Sequence, residues 1–185
     1  IDTMVLKNKT PTTHAKGSSS IEQLWGTQTI NTIRILNSQN FLAGVQILTD
    51  IPGLITDPNY YGGGLHQIGR DGFLSIHADF NFASGLHRRL NLLLYLNHNW
   101  KSSYNGFLEL WDKNLREAIE IKPIFNRCVI FNTTSDSFHG NPLPLNCPKD
   151  ITRKSIALYY YSSTRPANEI RESHNTIYVK RPEKI

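Results

Sequence analysis

The stretch that decides the fold is residues 88–97, which read RRLNLLLYLN. From residue 89 to residue 96 the side chains alternate as they do in a β-strand, where neighbours point to opposite faces. One face carries leucines at 90, 92, 94 and 96, and the other carries Asn91, Leu93 and Tyr95. Polar groups on an inner face are costly to bury unless something polar binds them. The pattern therefore predicts a strand with one dry face and one face on a ligand cavity.

Similar short runs, rich in β-branched or aromatic residues, recur on both sides of this strand. Turn sequences such as Asn105-Gly106 and Asn141-Pro142 separate them. The runs are 73–76, 107–111, 118–121, 127–131, 137–139 and 155–161. Closely spaced strands of this kind predict an antiparallel sandwich or barrel that occupies residues 65–162.

Two helices are predicted before the strands, within residues 21–52. The first starts after a Ser19 or Ser20 cap, and the second starts at Asn37 or Ser38 and stops before Pro52. We expect both to pack outside the sheet, which makes the chain mainly β with a smaller α part.

The remaining segments carry weaker patterns. Residues 1–20 predict a mobile arm, in which 3–6 could form an edge strand, and 53–64 predict a glycine-rich loop with two exposed tyrosines. The charge-rich residues 163–185 predict a solvated extension with one strand near 176–179. Residues 1–185 are therefore expected to form one domain.

Composition narrows the class of protein. The chain has 185 residues, 39% of them hydrophobic, and a net charge of +5. The basic residues are dispersed, with no basic and aromatic stripe, which argues against a nucleic-acid partner. The longest apolar run, 156–161, is far shorter than the roughly 20 residues of a membrane helix. Two cysteines and no secretory leader favour the cytoplasm. Nothing in the sequence specifies an oligomeric state.

A possible metal site begins at His77-Ala78-Asp79, at the end of a predicted strand. Alternate residues of a strand share a face, so both side chains can reach one ion. A third ligand has to come from a distant strand, and His139 follows the strand 127–131. Two imidazoles and one carboxylate on one face of an octahedral ion leave three positions open. This set suits an Fe(II) oxygenase better than a structural zinc site.

The last strong strand adds a candidate anion site. Period-two alternation puts Arg153 and Ser155 on one face, and Lys154 on the other. An arginine at a cavity with a hydroxyl beside it can hold a carboxylate through two hydrogen bonds.

These blocks together resemble the prolyl-hydroxylase-like branch of the 2-oxoglutarate- and iron(II)-dependent oxygenases. The resemblance covers roughly residues 65–162, and the order and spacing of the blocks carry it. The blocks are His77-x-Asp79, residues 88–97, residues 106–110 (GFLEL), residues 127–131 (RCVIF), His139 and Arg153-x-Ser155. The resemblance implies a double-stranded β-helix, or jelly roll, with the two helices packed outside it.

The resemblance also implies roles for single residues. His77, Asp79 and His139 would bind Fe(II), and Arg153 would hold the far carboxylate of 2-oxoglutarate. The other implied cosubstrate contacts are Tyr95, Ser155, Asn91, Leu108 and Gln67. His66 is the alternative to Gln67, because this chain has no tyrosine where the family often has one. The implied cofactors are Fe(II), 2-oxoglutarate and O2, with ascorbate as an optional stimulant.

The implied activity is hydroxylation of an unactivated C–H bond. Asp79 favours hydroxylation over halogenation, because a halide cannot easily take its coordination position. A prolyl or other amino-acid residue, in a peptide or free, is the first substrate to consider. A small metabolite, a glycan-linked substrate, or a non-catalytic module that binds 2-oxoglutarate are the alternatives. The segment from His139 to Arg153 is longer than in the hypoxia-sensing members, which puts their peptide specificity in doubt.

Overall fold

The computed structural model describes residues 13–183, and its architecture is a curled antiparallel sheet with two α-helices. The helices are α1 (Thr27–Leu36) and α2 (Gln39–Thr49). The first strands are β1 (Thr13–Ser19), β2 (Ile55–Thr56), β3 (Gly64–Ala78), β4 (Phe82–Ala83) and β5 (Leu86–Tyr95). The later strands are β6 (Leu108–Trp111), β7 (Ala118–Ile121), β8 (Cys128–Asn132), β9 (His139–Asn141), β10 (Arg153–Ser162) and β11 (Ile177–Tyr178).

The strands pair in the order β4-β5-β10-β3-β9-β6-β7, with β1 and β11 on β3, β2 on β10 and β8 on β5. Strand β3 has 15 residues, so its first half can pair with β10 while its second half pairs with β9. The sheet thus curls into the two halves of a jelly roll around an inner face, as the sequence predicts for residues 65–162.

The helices cover the dry side of the sheet. Leu90 and Leu92 of β5 form one hydrophobic core with Ile33 of α1 and Leu42 of α2. Tyr160 of β10 is fully buried in the same core, and its hydroxyl donates a hydrogen bond to the carbonyl of Leu36. The all-leucine face of residues 90–96 is therefore the face on the helices, which leaves the polar face for the cavity.

The N-terminal region differs from the prediction. Residues 13–19 form β1, which pairs with β3, and are not a mobile arm. Helix α1 begins after Gly26 and not after Ser19 or Ser20. Residues Glu22–Leu24 form a short 3-10 helix, and the extended backbone of Trp25 and Gly26 separates it from α1. Trp25 is buried in the helix core with its indole N–H on the Ser19 hydroxyl at 3.2 Å, which fixes this break. Ser38 caps α2 as predicted. Residues 3–6 lie outside the described residues.

The C-terminal region is also more ordered than predicted. The expected strand is present as β11, and it pairs with β3 next to the predicted metal ligands while both of its side chains stay exposed. Among residues 13–183, no helix is both long enough and apolar enough to cross a bilayer.

Candidate active site

Strands β3 and β9 bring the three predicted metal ligands together. His77 of β3 and His139 of β9 are register partners, and Asp79 is the first residue after β3. The Asp79 carboxylate oxygens lie 3.5 Å from His77 Nε2 and 3.3 Å from His139 Nε2. One ligand atom from each residue lies within 4.8 Å of the other two. The three side chains can therefore ligate a single ion.

Each imidazole is oriented by its second nitrogen. His77 Nδ1 lies 2.8 Å from the carbonyl oxygen of Ser75, and His139 Nδ1 lies 3.0 Å from that of Ser137. An N–H at Nδ1 that donates to the carbonyl leaves Nε2, on the side of the Asp79 carboxylate, as the nitrogen that can bind an ion. Two neutral imidazoles and one carboxylate form the donor set that Fe(II) takes in oxygenases, so the residues present fit that ion.

Two donors hold the Asp79 carboxylate in its ionised form. Arg88 Nη2 donates to Asp79 Oδ2 at 2.8 Å, and Asn91 Nδ2 donates to the same oxygen at 2.7 Å. Arg88 also donates from Nε and Nη2 to Asn91 Oδ1, so the two side chains brace each other. Burial alone raises the pKa of Asp79, but the Arg88 guanidinium and the imidazoles outweigh it and hold the pKa well below its usual range.

Arg88 is a site residue that the alternating pattern does not predict. Period-two alternation assigns position 88 to the leucine face, whereas Arg88 lines the cavity with Asn91. Tyr160 pairs with Leu90 and Tyr161 pairs with Arg88, so Arg89 is one extra residue on β5. This β-bulge turns Arg88 inward. The signal in the sequence for this inward position is an arginine near the start of a strand that is otherwise mostly apolar.

Aromatic rings enclose the Arg88 guanidinium. Its central carbon lies 3.5 Å from the centre of the Tyr159 ring and 4.5 Å from that of Phe80. Burial raises the pKa of Tyr159 to about 12, so its hydroxyl stays neutral and donates to the carbonyl of Gly62 at 2.9 Å. Arg88 is thus fixed by stacking as well as by hydrogen bonds.

A second buried arginine lies at the other end of the cavity. Arg153 Nε donates to the carbonyl of Gly106 at 2.8 Å, and its Nη2 donates to the Tyr95 hydroxyl at 3.1 Å. Among the described residues, no carboxylate forms an ion pair with this guanidinium. Its remaining N–H groups are available to an anion in the cavity.

Both arginines open on one cavity of about 470 Å³, which also contains the three predicted metal ligands. Among the described residues that line it, Asp79 is the single acidic one, whereas Lys16, Arg88 and Arg153 are basic. The aliphatic part of the wall comes from Ile68, Leu74, Leu93 and Leu108. The cavity can therefore take a molecule that has an anionic end and an apolar middle.

The predicted cosubstrate contacts fall at different depths. Ser155, Leu108 and Asn91 line the cavity. Tyr95 is fully buried behind Arg153 and contacts it. Gln67 is different, because His66 and Ile68 line the cavity and the residue between them on β3 faces the opposite way.

His66, the alternative to Gln67, thus occupies this wall position. Its Nε2 lies 3.1 Å from the carbonyl oxygen of Gly62. Burial lowers the pKa of His66 well below its usual value, and the charges of Lys16 and Arg153 lower it further. The side chain is neutral at pH 7.

A groove of about 820 Å³ continues outward from the cavity. Phe80 and Thr176 line both, so the two spaces are neighbours. Four aromatic residues lie along the groove: Tyr61, Phe80, Phe82 and Tyr161. None of the described residues that line it is a lysine or arginine, and the carboxylate of Asp57 is occupied by backbone N–H groups of residues 59 and 61.

The chain resembles known proteins both in sequence and in fold. The model of the 2OG-Fe(II) oxygenase superfamily matches residues 63–161, which is more than half of the chain. No curated protein matches the sequence.

Solved structures share the fold. A prolyl-4-hydroxylase from Pseudomonas putida aligns with a TM-score of 0.65 and 15% identity, over 87% of this chain and 78% of that one. HygX from Streptomyces hygroscopicus, solved with nickel and 2-oxoglutarate bound, aligns with a TM-score of 0.52 and 11% identity, over 96% of this chain and 84% of that one. A prolyl 4-hydroxylase from Phytophthora capsici aligns with a TM-score of 0.52 and 18% identity, over 77% of this chain and 47% of that one.

Proposed function

Because the chain belongs to the 2OG-Fe(II) oxygenase superfamily, a family of dioxygenases that use Fe(II), 2-oxoglutarate and O2, we propose that it hydroxylates an amino-acid residue within a peptide. Proline is the first residue to test. The observation that supports a peptide is the aromatic groove, without lysine or arginine among its described lining residues, that adjoins the cavity of the His77, Asp79 and His139 cluster.

The proposal assigns Fe(II) to His77, Asp79 and His139. Iron bound there would supply, with 2-oxoglutarate, the activation of O2 that drives hydroxylation and releases succinate and CO2. The chain's own residues set the geometry. Ser75 and Ser137 carbonyls fix the imidazoles, and Arg88 with Asn91 fixes the carboxylate, so the ligands are held in place before the ion binds.

The proposal assigns the far carboxylate of 2-oxoglutarate to Arg153 and Ser155. Tyr95 and the Gly106 carbonyl hold the guanidinium at fixed positions, which lowers the entropic cost of binding an anion. Leu108 contacts the apolar middle of the molecule. Asn91 already binds Asp79, so we assign it mainly to positioning of that ligand, and we assign His66 the wall position considered for Gln67.

The groove distinguishes between substrate classes. It is larger than the cavity itself, which suits several residues of an extended chain rather than one free amino acid. Its aromatic walls suit apolar side chains. The lack of basic residues among those described along it argues against a phosphorylated substrate.

The test is succinate release from 2-oxoglutarate with purified protein and Fe(II). We expect capped proline-containing peptides to stimulate release and free L-proline or simple glycans to have little effect. His139→Ala should abolish stimulated release while the far-UV circular dichroism stays unchanged. Stimulation by a free amino acid or a glycan and by no peptide would overturn the peptide assignment. Unchanged turnover in His139→Ala would overturn the ligand assignment.

A further inference from the structure

The C-terminal segment 172–183, here called the strap, lies across the mouth of the cavity and outside the region that matches the family. Its first contact is with Asn81, just after β3. Asn81 Nδ2 donates to the carbonyl of Glu172 at 2.8 Å, and Asn81 Oδ1 accepts from the backbone N–H of His174 at 3.0 Å. His174 Nε2 lies 2.8 Å from the Ser135 hydroxyl. The strap is therefore anchored where it enters the site.

The middle of the strap is β11, which adds a strand beside the predicted metal ligands. Ile177 pairs with Ala78 and Tyr178 pairs with His77. The backbone N–H of Val179 donates to the carbonyl of Ile76 at 3.0 Å. The strap thus follows β3 up to the ligand His77.

A buried ion pair fixes the far end. Arg181 Nη2 lies 2.6 Å from Glu109 Oε1, and its Nε lies 3.1 Å from Oε2. Glu109 is 2% exposed and also accepts from the indole N–H of Trp111 at 3.0 Å. A buried carboxylate that loses its cation is costly, so Glu109 binds the strap to the sheet strongly.

The strap presents one face to the cavity. Thr176 and Tyr178 line it, and the Tyr178 ring centre lies 5.5 Å from that of His77. Thr176 also lines the groove, so it stands where the two spaces meet. Ile177, between them, lines neither space. Ile177 is 39% exposed and Tyr178 is 42% exposed, so Tyr178 has one side on the cavity and the other in solvent.

We propose that the strap is a specificity-determining wall of the active site, in which Tyr178 and Thr176 limit the size of the substrate side chain that reaches His77, Asp79 and His139. Tyr178 covers one side of the metal-ligand cluster, and Thr176 narrows the passage from the groove. Small aliphatic side chains or a five-membered ring fit this passage better than an aromatic side chain. The assignment of substrate side chains rests on the proposed function, whereas the wall itself does not.

The first test varies the size of the substrate side chain. Capped peptides that differ only at the target position, with proline, leucine or phenylalanine, are compared for succinate release. Tyr178→Ala should raise the release with phenylalanine relative to proline by about tenfold or more, the scale of a lost pocket wall. Ile177→Ala changes the same strand on its other face and should leave the ratio unchanged. If the ratio of release with phenylalanine to release with proline is the same in Tyr178→Ala and Ile177→Ala, the proposal is wrong.

The second test needs no substrate and no turnover. Here Mn(II) takes the place of iron, with 2-oxoglutarate bound. The paramagnetic ion raises the magnetic relaxation rate of the protons of any water that reaches it, and this rate is measured. We expect Tyr178→Ala and Arg181→Met to increase this relaxation, and Ile177→Ala and Lys180→Met to leave it as in the parent protein. Equal relaxation in all variants would overturn the wall. If the variants show the increased relaxation rate but no peptide stimulates succinate release, the proposed peptide substrate is wrong and the wall remains supported.

Discussion

At the residue scale, the chemistry of the site depends on how Asp79 is held. Its carboxylate is buried, and burial of an unpaired charge is strongly unfavourable. Arg88 and Asn91 compensate for that cost and also fix which oxygens face the imidazoles. A ligand fixed in this way loses little freedom when it binds an ion.

Replacement of Arg88 should therefore weaken the metal site. In Arg88→Met the carboxylate loses its charged partner, and we expect divalent-metal affinity to fall by about 10- to 100-fold, the usual effect of losing such a partner. Titration with Mn(II) without 2-oxoglutarate measures this. Arg89→Met removes the same charge from the next residue, which does not line the cavity, and should keep the parent affinity. Equal affinities for the two variants would contradict the role of Arg88.

Arg153 should govern the cosubstrate and not the metal. Hydrogen bonds to charged groups contribute about 1.5–3 kcal/mol, so Arg153→Met should weaken 2-oxoglutarate binding by roughly 10- to 100-fold. Lys154→Met, on the other face of β10, is the matched control. Anaerobic titration of the Fe(II) protein with 2-oxoglutarate gives both affinities. If Lys154→Met has the larger effect, the anion site is assigned to the wrong residue.

We expect the stability of the folded protein to fall in acid because of His66. Its pKa is lowered in the folded protein, so between the ordinary histidine value of about 6.5 and the lower folded value the unfolded chain binds the extra proton. The contribution of His66 to the free energy of unfolding is therefore complete above pH 6.5 and is lost as the pH falls below that value. Urea unfolding between pH 7.5 and pH 5 should show this loss, and His66→Gln should reduce it. An unchanged pH dependence in His66→Gln would contradict the prediction.

At the element scale, the turn before β6 sets the position of Arg153. Gly106 has φ = +73°, and a Cβ there would overlap Leu145 and lie 3.1 Å from Arg153 Cδ. Gly53 has φ = +68° with open space around it. Both alanine variants should lose about 1–3 kcal/mol of unfolding free energy through backbone strain. Gly106→Ala alone should also weaken 2-oxoglutarate binding; equal binding in the two variants would show that the turn does not position Arg153.

The elements also show where sequence patterns work and where they stop. Alternation predicts the two faces of residues 90–96 correctly, because packing on α1 and α2 favours an unbroken leucine face. It does not predict the inward turn of Arg88, because a bulge depends on how β5 pairs with β10. It also does not predict β1, because a polar sequence is held there by pairing with β3. It predicts the strand of the strap but not its fixed position, which depends on pairing with β3 and on contacts distant in the chain, such as Arg181 with Glu109.

At the scale of the whole molecule, the curled sheet explains how residues 62 positions apart in the chain form one cluster. His77 and His139 lie on neighbouring strands, and Arg153 lies on β10, which pairs with the first half of β3 as β9 pairs with the second half. The resemblance over residues 65–162 identifies the fold because it follows this order of strands. What it does not supply is the wall that the strap adds, which lies beyond residue 162 and outside the matched region.

The most direct test of the central claim is anaerobic addition of Fe(II) and then 2-oxoglutarate to metal-free protein. If His77, Asp79 and His139 bind iron and Arg153 holds the cosubstrate beside it, the weak visible charge-transfer band of the chelate will appear. It will be absent in Asp79→Ala, measured on protein with the parent circular dichroism spectrum. No band from folded parent protein, or an undiminished band in Asp79→Ala, would contradict the account.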